Sequence, residues 1–372
     1  MHRRAFCIPV LMSLLLLIVA CQLSAQTQSE PDPEKRTEHL DPYGFGSPTV
    51  ELNLDQLPTR IAFGSCADQT RPQPVLHHVV TREPDLFLYL GDNIYGDTED
   101  LAVLQSKYQQ LADKPEFQAL RAAMPTLSTW DDHDYGANDA GRHYPKKAES
   151  KEMFLSFWGV PEHSPRREHP GIYGSHLFEA DGQRLQVIIL DSRSFRDKLL
   201  LNDEQGFHKN DYRPNPSPDS TVLGEAQWMW LAEQFEQSAD IRIIASSIQF
   251  SHSYNGWESW TNIPHERQRM LDLIKEKQAQ GVIFISGDVH WGEISRQEVE
   301  GGYPIYDVTA SGINQDWDQI EPNERRLGEA VAEYNFGMIE LDWTAQMVTL
   351  FSIDLNDSIR NQVEVPFGEM GW

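Results

Sequence analysis

The stretch Pro84-Asp85-Leu86-Phe87-Leu88-Tyr89-Leu90 is mostly apolar with aromatics and stops at Gly91, so it reads as a short buried strand. Beyond it, Asp92 and Asp97 flank Tyr95 on one loop. In an open α/β sheet, ligands bind past the carboxyl ends of the strands, so this loop lies where chemistry is expected. Two carboxylates and a phenol offer hard oxygen ligands to a cation such as calcium, manganese or iron. Taken alone, the loop also reads as a turn with capping aspartates.

The same pattern recurs along the chain. Arg60-Ile61-Ala62-Phe63 runs into Gly64-Ser65-Cys66, and a helix over 73–83 would make the first two strands a parallel pair. A single cysteine is commonly a buried structural residue, but this one sits in a glycine turn at a strand end, which favours a ligand. Pro125-Thr126-Leu127-Ser128-Thr129-Trp130 delivers Asp131-Asp132-His133-Asp134, three carboxylates around one histidine. Such a cluster is costly unless a cation or protonation relieves the repulsion. The strand 186–190 ends in Asp191-Ser192-Arg193-Ser194-Phe195-Arg196, where Arg193 or Arg196 either clamps an anionic substrate or pairs with an internal acid. A further strand, 281–286, ends in Gly287-Asp288-Val289-His290, with Asp288 and His290 spaced to face one cation.

Between these motifs the pattern predicts one helical stretch over 101–123, a strand over 241–247 and a packing helix over 224–231. A long surface loop is expected over 199–220. In the loop 249–264, Trp257 and Trp260 read equally as cleft walls or as loop packing. The tail runs 304–309, 336–341 and 346–353 read as antiparallel strands completing a second sheet.

The chain has 372 residues and a formal net charge of -26. That field disfavours binding to nucleic acid or to anionic membrane surfaces, so phosphate could be held only through cations or a local arginine cluster. At the N-terminus, His2-Arg3-Arg4 precedes a short apolar run over 11–20 that ends in Ile18-Val19-Ala20-Cys21. This reads as a signal segment, 1–20, of lipoprotein type, with Cys21 acylated and the chain exported and anchored to the bacterial outer membrane. Simple secretion is the alternative. Residues 21–48 are polar and proline-containing and read as a tether, leaving 49–372 as a single domain. Cys7 falls in the signal segment, so Cys66 has no disulfide partner.

Phe63-Gly64-Ser65-Cys66, Gly91-Asp92-Asn93-Ile94-Tyr95-Gly96-Asp97, Trp130-Asp131-Asp132-His133-Asp134, Leu190 to Arg196, Leu223-Gly224-Glu225-Ala226-Gln227-Trp228 and Ser286-Gly287-Asp288-Val289-His290 stand in the order found in alkaline phosphatase D-like proteins, and the chain resembles that family. The resemblance implies an α/β fold of metallophosphoesterase type, a sandwich of two mixed β-sheets flanked by helices. It implies metal-dependent hydrolysis of phosphate esters by a metal-activated water, with iron, ferric in character, and calcium as cofactors and other divalent metals possible. Cys66, Asp92, Tyr95, Asp132, Asp288 and His290 look like the metal ligands, and Asp131, His133 and Arg193 like the catalytic residues. A phosphodiesterase acting on lipid head groups or wall polymers, or a non-catalytic phosphate-ligand-binding lipoprotein, are the alternatives. The expected partner is a small or lipid-linked phosphate ester, and the expected state is a monomer.

Overall fold

The computed structural model describes residues 42–46, 49–202 and 211–372. The expected signal segment, Cys21 and most of the tether lie outside those residues. The packed unit begins before residue 49, however: Phe45 is buried, with its ring 6.0 Å from Tyr108 and 5.1 Å from Phe157.

The strands are β1 (Arg60–Gly64), β2 (Leu86–Leu90), β3 (Thr126–Thr129), β4 (Gly174–Ala180), β5 (Gln183–Ile189), β6 (Leu200–Leu201), β7 (Tyr212–Arg213), β8 (Ile241–Ala245) and β9 (Val282–Ser286). The last part of the chain adds β10 (Gly292–Gln297), β11 (Ile305–Ala310), β12 (Arg326–Val331), β13 (Asn335–Asp342), β14 (Met347–Asp354) and β15 (Ile359–Pro366). They form a six-stranded sheet in the order β15-β14-β13-β1-β2-β3 and a seven-stranded sheet in the order β12-β10-β11-β9-β8-β5-β4. Each sheet is mixed. β1, β2 and β3 run parallel in the first, and β5, β8, β9 and β11 run parallel in the second.

Side-chain alternation explains the layering. Ile61, Phe63, Leu86, Leu88 and Leu90 point to the core that also holds the β8 and β9 side chains, while Ala62, Phe87 and Tyr89 point the other way into a helix-covered cluster. A strand covered on both faces needs no polar side, which is why 86–90 is apolar throughout. Each Leu or Phe so buried contributes about 1.5–3 kcal/mol.

Several expectations change. The stretch 101–123 is two helices, Leu101–Ala112 and Pro115–Ala123, because Pro115 cannot continue a helix and instead opens the next one. The tail strands do not share a sheet: β11 joins the second sheet, while β13 pairs antiparallel with β1 and carries β14 and β15 into the first. The loop expected over 199–220 contains the short β6–β7 pair. In the 249–264 loop, Trp260 is fully buried with its Nε1 donating to Ser246 Oγ at 3.0 Å, so it is packing. The helix Gly224–Phe235 is structural as expected. Gln227 brackets the backbone of Asp191, accepting from its N–H at 2.9 Å and donating to its carbonyl at 2.8 Å. Trp228 donates to the buried Glu266 at 2.7 Å.

Candidate metal centre

The parallel strands of both sheets end toward one another. Ser65 N–H donates to Ala310 O at 3.0 Å, which joins the loop after β1 to the end of β11 in the other sheet, and Gly287 N–H donates to Ser247 O at 3.0 Å, which ties the loops after β9 and β8 together within the second sheet. Two glycines permit the approach. A Cβ on Gly91, whose φ is +105°, would lie 2.5 Å from Asp131 Cβ, and one on Gly287 would lie 2.4 Å from Ser65 Oγ. Cys66, Asp92, Asp288 and His290 adopt φ of 61°, 48°, 77° and 64° respectively. Left-handed backbone at four non-glycine residues is costly, and such strain collects where surrounding structure fixes a functional group.

These loops bring all six expected ligands into one neighbourhood. Cys66 Sγ lies 3.5 Å from Asp92 Oδ2, and Tyr95 Oη lies 3.1 Å from His290 Nε2. The donor atoms of Cys66, Asp92 and His290 fall within 4.8 Å of one another, as do those of Asp92, Asp132 and His133, and those of Asp131, Asp132 and Asp288. Asp92 and Asp132 each belong to more than one group, so the donors form a chain along which two cations could share carboxylates. A thiol, a phenol and an imidazole cluster at one end, and carboxylates at the other.

The electrostatics fit a bound cation. Burial pushes the Cys66 thiol up to about 12. Burial and then Asp132 hold Asp92 well above the carboxylate range, and burial and then Asp131 do the same to Asp288. Burial, followed by the neighbouring His133, lowers His290 to about 4. A cation among these atoms relieves the penalties on the carboxylates and the thiolate, and it takes His290 in the neutral form that burial favours.

The expected catalytic residues separate. His133 borders the cavity, stacks against Tyr95 with ring centroids 4.3 Å apart, and places Nδ1 2.8 Å from Asp97 Oδ1. Burial disfavours its cation, yet Asp132 and Asp97 raise it to about 9. Asp97, read from sequence as a possible hard ligand, is thus the imidazole's partner. Asp131 is fully buried. It accepts from Ser247 Oγ and Arg193 Nε, each at 2.5 Å, and caps the turn Asp132–Tyr135. Arg193 has no solvent exposure, is paired with Asp131 and Glu258, and does not line the cavity. Arg196 pairs with Glu258 at 2.7 Å and donates to the carbonyl of Asp139 at 2.6 Å. The acid-rich site has drawn both guanidinium groups into its own support.

Sequence reading missed Glu258, which lies between Trp257 and Trp260 and anchors both arginines. An acid inside an aromatic loop was the available signal. It also missed Tyr212, which donates to Asp139. The cavity measures about 350 Å³. Asp92, Asp132, His133, Asp288 and His290 line it, with Asp139 and Glu258 close to Asp132, and among its described lining residues there is no lysine or arginine.

Comparison with known proteins bears on the family and the fold. Alkaline phosphatase D of Bacillus subtilis (strain 168) is 27% identical over 313 residues, covering 74% of this chain and 52% of that protein, so the chain spans about half the length of this curated relative. A structure described as that of PhoD superposes with a TM-score of 0.63 at 19% identity, covering 86% of this chain and 73% of the other. A dimetal phosphatase from Danio rerio superposes with a TM-score of 0.53 at 10% identity, covering 84% of this chain and 100% of the other. At these identities the superpositions show the fold. The model of the PhoD-like phosphatase family matches residues 61–306, and the chain belongs to that family.

Proposed function

We propose that this protein hydrolyses phosphate esters, using cations held by Cys66, Asp92, Tyr95, Asp132, Asp288 and His290. The observation that carries the reading is the shared position of Asp92, common to the Cys66–His290 group and to the Asp132–His133 group. Thiolate, phenolate and imidazole suit ferric iron at one end, and carboxylates suit calcium at the other. Bound there, the cations supply Lewis-acid polarisation of a phosphoryl oxygen and lower the pKa of water.

The chain's own residues do the rest. Asp97 fixes the ring of His133 through Nδ1, which leaves Nε2 as the atom that hands a proton to the departing oxygen. Arg193 and Glu258 act at a distance: they hold Asp131, and through it the turn carrying Asp132 and His133, in place. Phosphomonoesters are the first reading.

The test is metal content by mass spectrometry beside hydrolysis of a mono- and a bis-(nitrophenyl) phosphate. Iron with calcium and turnover supports the reading, and the faster ester chooses between monoesterase and diesterase. Full metal loading with neither ester cleaved would leave a binding role. No described helix is long and apolar enough to cross a membrane. We place the protein outside the cytoplasm as a monomer held by lipid on Cys21. Palmitate labelling lost in Cys21→Ser checks that anchor.

A further inference from the structure

Ser311 stands where the loops after β11, β1 and β9 meet. Its Oγ accepts from the His290 N–H at 2.8 Å and lies 3.2 Å from Cys66 Sγ, so one hydroxyl touches two of the proposed ligands. Neither Ser311 nor Cys66 has any solvent exposure. The bland account is that this serine fastens its loop. Backbone bonds already do that: Ser65 N–H donates to Ala310 O at 3.0 Å, Ile313 N–H to Ser65 O at 3.0 Å, and Asn314 N–H to Cys66 O at 3.3 Å. The Asn314 side chain adds a second clasp, accepting from Asp68 N–H at 2.7 Å and donating to Asp68 O at 2.8 Å. What those bonds leave to be explained is a hydroxyl held rigidly against the sulfur.

Proton counting sets the direction of that contact. An amide N–H can only donate, so Ser311 Oγ is the acceptor toward His290. A thiolate that holds a cation carries no proton and can only accept. The Ser311 proton therefore goes to Cys66 Sγ. Ser65 Oγ is also near the sulfur, at 3.5 Å, but it has the Ala310 carbonyl as an acceptor at 3.3 Å. In a buried site, a hydroxyl donating to an anion makes one of the stronger hydrogen bonds. Such a bond drains charge from the sulfur, and a sulfur that donates less leaves its cation a stronger Lewis acid.

We infer that Ser311 tunes the metal centre: its hydroxyl donates to the Cys66 thiolate, fixes the direction of the sulfur and limits the charge it passes on. It is a positioning residue, acting through Cys66 and not lining the cavity. This rests on the phosphohydrolase reading only in taking Cys66 as a metal ligand.

Resonance Raman spectra of the full chain loaded with ferric iron read the bond directly. Cys66→Ser identifies the iron–sulfur stretch by its loss, and the ring modes of a Tyr95 phenolate serve as an internal standard. In the unaltered protein, reconstitution in heavy water should shift the iron–sulfur stretch. Ser311→Ala should lose that isotope shift, move the thiolate-to-iron charge-transfer band to longer wavelength and leave the Tyr95 modes in place. If Ser311→Ala fails to fold, Ser65→Ala decides: an isotope shift kept there supports Ser311 as the donor, and one lost there overturns it. No isotope shift in the unaltered protein, or Tyr95 modes that move together with the sulfur mode in Ser311→Ala, would also overturn the inference. Iron bound without an iron–sulfur stretch, or not bound at all, removes the inference together with the ligand role of Cys66. Failure of the hydrolase reading alone would look different: nitrophenyl phosphate stays intact while the isotope shift is present.

Discussion

The imidazole of His133 and the carboxylate of Asp97 meet edge-on, with Nδ1 2.8 Å from Oδ1 and 2.9 Å from Oδ2. The contact fixes the orientation of the ring, so Asp97 acts through the histidine and not on the substrate. Asp97→Asn should lower kcat about 10- to 100-fold, with KM for nitrophenyl phosphate little changed and metal content unaltered. Loss of metal in parallel with activity would instead make Asp97 a ligand.

Cys66 sits at the soft end of the donor chain, 3.2 Å from Ser311 Oγ and 3.5 Å from Asp92. Cys66→Ser keeps the shape but removes the thiolate, so iron retention should fail and turnover should drop by more than about a hundredfold. Mass spectrometry and a nitrophenyl phosphate assay check both. Unchanged turnover in an iron-free variant would refute the role of the thiol. Chelation of the unaltered protein should lower its melting temperature, since a cation at a hundred times its Kd contributes about 3 kcal/mol.

Arg193 is the cation between Asp131 and Glu258. Arg193→Met strands the buried Asp131 and leaves Glu258 with Arg196 alone, and should destabilise the protein by about 3–5 kcal/mol, measured by urea denaturation. A raised KM with an unchanged denaturation midpoint would restore the arginine to the role of substrate clamp.

His252, with its ring 6.4 Å from that of Trp291, is fully buried, accepts from Tyr254 N–H at 3.1 Å and faces Glu293, Arg326, Arg325 and Arg267. Burial lowers it to about 4, partly opposed by Glu293. The unfolded histidine takes its proton near 6.5, so between those values the unfolded chain binds the extra proton and stability rises with pH. This contribution is complete above about pH 6.5 and is lost as pH falls toward 4, worth on the order of 3 kcal/mol. Urea midpoints compared at pH 7.5 and 5 should shift less in His252→Asn than in the unaltered protein.

The strands that end at the site were legible because each is a short apolar run stopped by glycine or by acids, and those runs were read to within a few residues. β10 and β15 were not, since Gly292-Glu293-Ile294-Ser295-Arg296-Gln297 buries polar side chains in a hydrogen-bonded network and β15 is a half-exposed edge. The candidate ligands were readable from loop chemistry. The fate of Arg193 was not, because a substrate clamp and an internal ion pair look alike until the depth of Glu258 is known. Which loops line the cavity together depends on tertiary placement alone.

The divided origin of the donors has a consequence for how the protein matures. One sheet contributes Cys66, Asp92 and Asp132, the other Asp288 and His290, and Cys66 reaches the Asp288 carbonyl across 222 residues of sequence at 3.7 Å. Even the centre of the first sheet is closed by β13, synthesised after every donor. A nascent chain therefore owns only fragments of the site, and contacts of such long range form slowly. Metal capture thus becomes a late checkpoint in biogenesis: the ion is gripped firmly only by a chain that has emerged almost to its end and docked both sheets.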